Sequence, residues 1–215
     1  MQARKIAVFG ASGGIGAQVV QQALDRGDTV TAVVRTQAQF DLVHARLSVV
    51  RVPALTDIGE LTLALKDVEA VISGVGPRGP KDGPVASTAT SAILLSMECA
   101  GVRRLVAVSA VPVGAVPHGE SALNRFVILP LIGRLLQDLY ADLTEMEHEI
   151  RQSNIDWTIV RPPKLSNKPL TEVYRWQVGG NVPRGYSISR ANVAHAMLRA
   201  LDDPQTIKQP VGVAE

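Results

Sequence analysis

A single cysteine, Cys99, occurs in the 215 residues, which excludes a disulfide framework and a thiolate metal site. Aromatic residues make up only 4% of the chain. With 46% hydrophobic residues overall, the core must be aliphatic, the composition of strands covered on both faces. The four histidines, His44, His118, His148 and His195, lack the spacing of metal ligands. A formal net charge of +2, with no block of Lys or Arg, argues against a nucleic-acid partner. There is no signal-peptide pattern at the start, so a cytoplasmic protein is expected. The most apolar run, "FVILPLIG" at 126–133, lies between Arg125 and Arg134. It is far short of the roughly 20 residues that span a membrane, so no membrane partner is expected. Whether Phe126 to Ile132 forms a lid or a subunit contact is open, as is the choice between monomer and homodimer.

Strand-like aliphatic runs alternate with helical patterns through most of the length. Strands are expected at 5–9, 29–34, 47–52, 70–73, 105–109 and 157–161, and helices at 14–25, 58–65, 85–100 and 131–153. This alternation predicts a doubly wound α/β fold of the Rossmann kind, a parallel sheet with helices on both faces, as one domain over 1–215. Gly27 and Gly101 read as left-handed helix stops, Pro84 suits a first helical turn, and Pro130 should break a helix starting near Ser121. After Arg161 the periodicity changes. "RPPKLSNKPL" reads as a loop, "TEVYRWQV" and "GYSIS" as two short strands around Gly179 to Gly185, and "SRANVAHAMLRAL" as a last helix capped by Ser189. Residues 162–188 are therefore expected to form a small appendage on the substrate side of the sheet.

The stretch "KIAVFGASGGIGAQVV" places Gly10, Gly13 and Gly16 at G-x-x-G-x-x-G spacing, with Gly14 added, between a strand and a helix. Such glycines permit a tight turn, close approach of a pyrophosphate, and close packing of helix on strand. The pyrophosphate is then held at the helix N-terminus by its free N–H groups and dipole. At the end of the second strand an NAD site usually offers a carboxylate to the ribose 2′-OH. Here "VTAVVRTQ" offers Arg35, with Ser12 available from the glycine loop, so NADP(H) is expected over NAD(H).

"KIAVFGASGGIG", "AVVRT", "GVRRLVAVS", "DWTIVRPPKL" and "SRANVAHAMLRAL" together resemble the atypical short-chain dehydrogenases of the NmrA-like type. "PPKLSNKPLTEVY" is especially similar to the biliverdin reductase B and NAD(P)H-flavin reductase group. The resemblance implies that Gly10, Ser12, Gly13, Gly14, Ile15 and Gly16 wrap the pyrophosphate, while Arg35 and Thr36 take the 2′-phosphate. It further implies that Val75, Gly76 and Arg78 lie along the cofactor and that Ser109 stands beside the nicotinamide ribose. Pro162 and Pro163 would then offer backbone contacts to the nicotinamide, and Lys164 would face the substrate pocket. Three positions depart from the group's pattern. Val52-Pro53 replaces Gly-Asp, Ala110 replaces a second Ser or Thr after the fifth strand, and Lys164 stands in place of a His.

The Tyr-x-x-x-Lys pair of ordinary short-chain dehydrogenases is missing. Tyr140 is followed four residues later by Thr144, and Tyr174 has no lysine at that distance. Hydride transfer to a flavin, a quinone or another planar conjugated acceptor asks less of the protein. In that case Ser109 would hydrogen-bond an acceptor oxygen and Lys164 would stabilise developing negative charge. The competing reading is a regulatory or scaffold protein that senses NADP(H) without turnover. Among the remaining polar residues, "EMEHE" at 145–149 is expected to be a solvated helix surface and no metal site, and His195 a packing residue. Trp157 is expected in the core, and Trp176 could flank an aromatic substrate.

Overall fold

β-Branched and aliphatic runs set the strands of the computed structural model, which describes residues 3–77, 82–116, 120, 134 and 136–215. Among the described residues the strands are β1 (Lys5–Phe9), β2 (Thr29–Arg35), β3 (Leu47–Val52), β4 (Ala70–Ser73), β5 (Arg104–Val108) and β6 (Asp156–Arg161). They continue with β7 (Lys164–Ser166), β8 (Arg175–Val178), β9 (Ser187–Ser189) and β10 (Gln209–Ala214). The helices are α1 (Gly14–Asp25), α2 (Ile58–Ala64), α3 (Val85–Ala100), α4 (Gln137–Gln152) and α5 (Arg190–Asp202). None is long and apolar enough to cross a membrane. The main sheet runs β3-β2-β1-β4-β5-β6-β10-β8, parallel except for β8, which is antiparallel to β10. This is the expected doubly wound Rossmann architecture. The chain leaves β1 outward to β3 and returns to β4 on its other side. That reversal opens a crevice at the carboxyl ends of β1 and β4.

Alternation along β1 shows how the core divides. Ile6 and Val8 face the layer of α1 and α5, where Val19, Val193 and Met197 are buried. Ala7 and Phe9 face the layer of α2, α3 and α4, with Leu61, Ile93, Met146 and Trp157. Trp157 is a core residue, as expected.

Helix ends have local and distant causes. Ser189 caps α5 through a 3.0 Å bond from the Asn192 amide. Gly101 ends α3 with φ at 72°. Pro84 precedes α3 and offers it no side-chain cap, so α4 supplies one. Buried Asp142 accepts bonds from the Ala86 and Ser87 amides, both at 2.8 Å, and from Ser87 Oγ. At the opposite end of the sheet from the crevice, Arg104 is bonded to the carbonyls of Asp156 and Ala200 and to Thr158 Oγ1. Burial lowers its pKa to about 10, the nearby carboxylates opposing this only in part.

The last third departs from expectation. Within the expected loop at 161–170, residues Lys164–Ser166 form β7. The two short strands near Gly179 do occur, but not as partners: β8 pairs with β10 and β9 with β7. β10 was unexpected because Pro210 and Gly212 break its pattern. Gly212 is needed there, since a Cβ would stand 2.5 Å from the Gly180 carbonyl oxygen, to which the Gly212 amide donates. The expected break at Pro130 and the segment 126–132 lie outside the described residues.

Candidate functional site

The crevice at the switch point is a cleft of about 790 Å³, within the roughly 300–1,000 Å³ of cofactor and small-molecule sites. Its floor begins at the glycine loop. Gly10 has φ at 71°, and a Cβ there would lie 2.9 Å from the Gly74 backbone at the end of β4. Gly16 does not line the cleft. It lies behind it, where any Cβ would collide with the Gly10 carbonyl, so its role is to let α1 pack on the turn. Gly10, Ser12, Gly13, Gly14 and Ile15 line the opening. The first helical amides of α1 have no partners within the helix, which makes this end of the cleft receptive to an anion.

Arg35 reaches the cleft from the end of β2. Thr36 does not line it, and Gln37 does. The loop after β2 is braced from β3 by Arg51, whose guanidinium donates to the carbonyls of Ala38 (2.9 Å) and Phe40 (3.2 Å). Beyond Arg35, Pro53, Ala54, Leu55 and Thr56 form a wall in place of Gly-Asp. Val75 and Gly76 line the cleft after β4, whereas Arg78 lies outside the described residues.

The other end is built differently. Ser109, Ala110, Pro162 and Pro163 line it at the ends of β5 and β6. Ser109 is fixed by its amide, which donates to the Val160 carbonyl at 2.8 Å. Helix α4 presents Leu139 and Leu143 to the cleft, four residues apart. Tyr140, one position on, does not line it and packs against the core. Lys164 is placed differently from the other residues named for this end. It is exposed at the start of β7 and does not line the cleft, whereas its neighbour Leu165, on the alternate face, does.

Beneath Ser109 lies a buried ion pair that sequence reasoning missed. Arg161 donates through Nε to Glu147 Oε1 at 2.8 Å and makes a second bond to Oε2, with Arg151 adding a third at 3.2 Å. Burial raises the Glu147 carboxyl, but Arg161, the nearby Ser109 hydroxyl and Arg151 outweigh it and hold the group below its ordinary range. Among the described residues Ser109 Oγ is buried and without a hydrogen-bond partner of ordinary geometry. The expectation of a solvated "EMEHE" surface is thus corrected at Glu147, which is only 3% exposed. The signal was available: Glu147 is four residues from Leu143 and three from Ile150, both on the apolar face of α4. Glu149 points elsewhere and accepts from Ser91 Oγ, while His148 meets Gln152.

Other candidates fall away from the cleft. Tyr174 Oη is 2.8 Å from His195 Nδ1, so His195 is more than a packing residue. Trp176 lies under the Arg199 guanidinium, 4.6 Å from the ring centroid, and does not line the cleft. Among the described residues no group of three or more His, Cys, Asp and Glu could hold a metal ion. Arg190 does line the cleft and was not anticipated.

Comparison with known proteins matches this geometry. The profile of a family described as NAD(P)H-binding covers residues 10–204. The UPF0659 protein YMR090W of Saccharomyces cerevisiae is 31% identical over 234 residues, covering 99% of this chain and 94% of its own. An uncharacterized chloroplastic protein of Arabidopsis thaliana, At2g34460, is 31% identical over 214 residues, covering 94% of this chain and 73% of its own. Among solved structures, a short-chain dehydrogenase/reductase of Veillonella parvula in complex with NADP superposes with a TM-score of 0.81 at 21% identity, covering all of this chain and 95% of that one.

Proposed function

The chain belongs to the NAD(P)H-binding family, and on that footing we propose an NADPH-dependent reductase of the atypical short-chain dehydrogenase type. Its acceptor would be a flavin, a quinone or another planar conjugated molecule. An oxidoreductase role agrees with neighbours of the same fold, one described as a complex with NADP and another as the oxidoreductase ylbE of Lactococcus lactis. The observation that carries the acceptor class is the asymmetry of the cleft. One end has helix amides, Arg35 and Arg190, and the other has Leu139, Leu143, Leu165 and two prolines beside Ser109.

The glycine loop would hold the pyrophosphate, Arg35 the 2′-phosphate, and Ser109 with the Pro162 and Pro163 backbone the nicotinamide end. The cofactor, when bound, supplies the hydride. This chain's residues orient it and exclude water. Leu139 and Leu143 cover the reacting face and offer no proton, so protonation of the reduced acceptor comes from solvent. Ser109 would donate to an acceptor oxygen by turning its hydroxyl, buried on the Glu147 side in this structure, toward the cleft. This reading puts the protein in the cytoplasm, acting on a small molecule and not on nucleic acid or a membrane.

The test is NADPH oxidation, followed by nicotinamide absorbance, against FMN, riboflavin, simple quinones and biliverdin. Saturable turnover of at least one is expected. NADPH binding without turnover of any would favour the non-catalytic NADP(H) sensor, a reading that Ala110 and the two leucines of α4 support.

A further inference from the structure

Gly14 has no role in the G-x-x-G-x-x-G spacing, yet a side chain there would have to displace a particular neighbour. A Cβ on Gly14 would lie 2.7 Å from Arg190 Cδ and 2.8 Å from Arg190 Nε. The Arg190 side chain packs against the first residue of α1 and lines the cleft. Its delivery there is a matter of register. β7 and β9 pair in parallel with Ser166 opposite Ser189, so the residues that follow each strand, Asn167 and Arg190, emerge together, and Arg190 reaches the glycine loop. Arg190 Nη1 donates to Asn167 Oδ1 at 2.6 Å. Only one of five donor hydrogens is used by that bond, and the rest of the fork remains for an acceptor in the cleft. A guanidinium beside the first residue of α1 adds its donors to the unpaired amides of that helix end, and both favour an anion in the cleft.

We propose that Arg190 is a further cofactor-binding residue, a clamp that holds the diphosphate bridge of the dinucleotide from beside Gly14, at the edge of the glycine loop. The proposal rests on the dinucleotide reading of the cleft. It assigns Arg190 to the group that NADPH and NADH share, and leaves the 2′-phosphate to Arg35. Gly14 then serves the clamp: its missing side chain is the space through which Arg190 reaches the loop.

The experiment is calorimetric titration of the wild-type protein, Arg190→Ala and Arg190→Gln with NADPH, NADH, ADP-ribose and 2′-AMP. ADP-ribose carries the diphosphate without the 2′-phosphate, and 2′-AMP the reverse. Both variants should lose about tenfold or more in affinity for NADPH, NADH and ADP-ribose alike, as expected for a charge-assisted bond, with 2′-AMP unchanged. Melting temperatures without ligand identify any variant that fails to fold, and the other variant then decides. Loss confined to NADPH and 2′-AMP would overturn the diphosphate assignment, as would unchanged affinity for all four ligands. Wild-type protein that binds none of them would overturn the dinucleotide reading, and the clamp with it.

Discussion

The two ends of the cleft are built on opposite principles. The phosphate end is polar and sterically exact, with Gly10 forced to a positive φ, Gly16 admitting no side chain, and Arg35 and Arg190 facing the opening. The reacting end is aliphatic, with Leu139, Leu143, Leu165, Pro162 and Pro163 around Ser109. On the proposed reading, the difference gives binding to one end and shape to the other. An enzyme so arranged positions a cofactor that brings its own chemistry.

The largest expected effect lies beneath the reacting end. Glu147→Ala removes one half of a buried ion pair and should cost about 3–5 kcal/mol in stability, read from denaturant unfolding. The pair also has a pH signature. The folded carboxyl titrates below its ordinary range. Its contribution is therefore complete above that range, about pH 4.3, and is lost as pH falls through the folded value. Glu147→Gln should flatten that acid limb. An unchanged limb would mean that the pair contributes nothing to folding.

At the phosphate end, Arg35→Ala should weaken NADPH binding by about 1.5–3 kcal/mol, the value of a hydrogen bond to a charged group, with NADH nearly unaffected. Equal losses in a titration would remove the contrast between the two arginines. Ser109→Ala should lower turnover by no more than about tenfold, since a neutral hydroxyl contributes roughly 0.5–1.5 kcal/mol, with NADPH affinity retained. A much larger loss in steady-state assays would make the reacting end a catalytic one in its own right. Lys164→Ala should change neither property beyond about 0.5 kcal/mol, as for an exposed substitution. A marked fall in turnover would return Lys164 to the site.

What could be read from the sequence follows the same division. β1, α1 and β2 are specified by local causes. The alternation of Ile6 and Val8 with Ala7 and Phe9, the glycines and the strand-end Arg35 all act within a few residues, so the sheet and the phosphate end were legible. Residues that meet through distant pairing were not. β10 hides behind Pro210 and Gly212. Lys164 was read from a loop, whereas β7 turns it away and brings Leu165 in. Arg190 reaches the glycine loop only because β9 pairs with β7, a register that no local pattern encodes. Glu147 is an intermediate case: the apolar stripe of α4 marks its face, but its partner Arg161 lies on β6.

On the proposed reading, Arg35 recognises a 2′-phosphate at its end of the cleft. The direct measurement is the ratio of NADPH to NADH dissociation constants for the wild-type protein, by titration under one set of conditions. The Arg35 guanidinium predicts NADPH tighter by about tenfold or more, the equivalent of 1.4 kcal/mol. Equal affinities would contradict it.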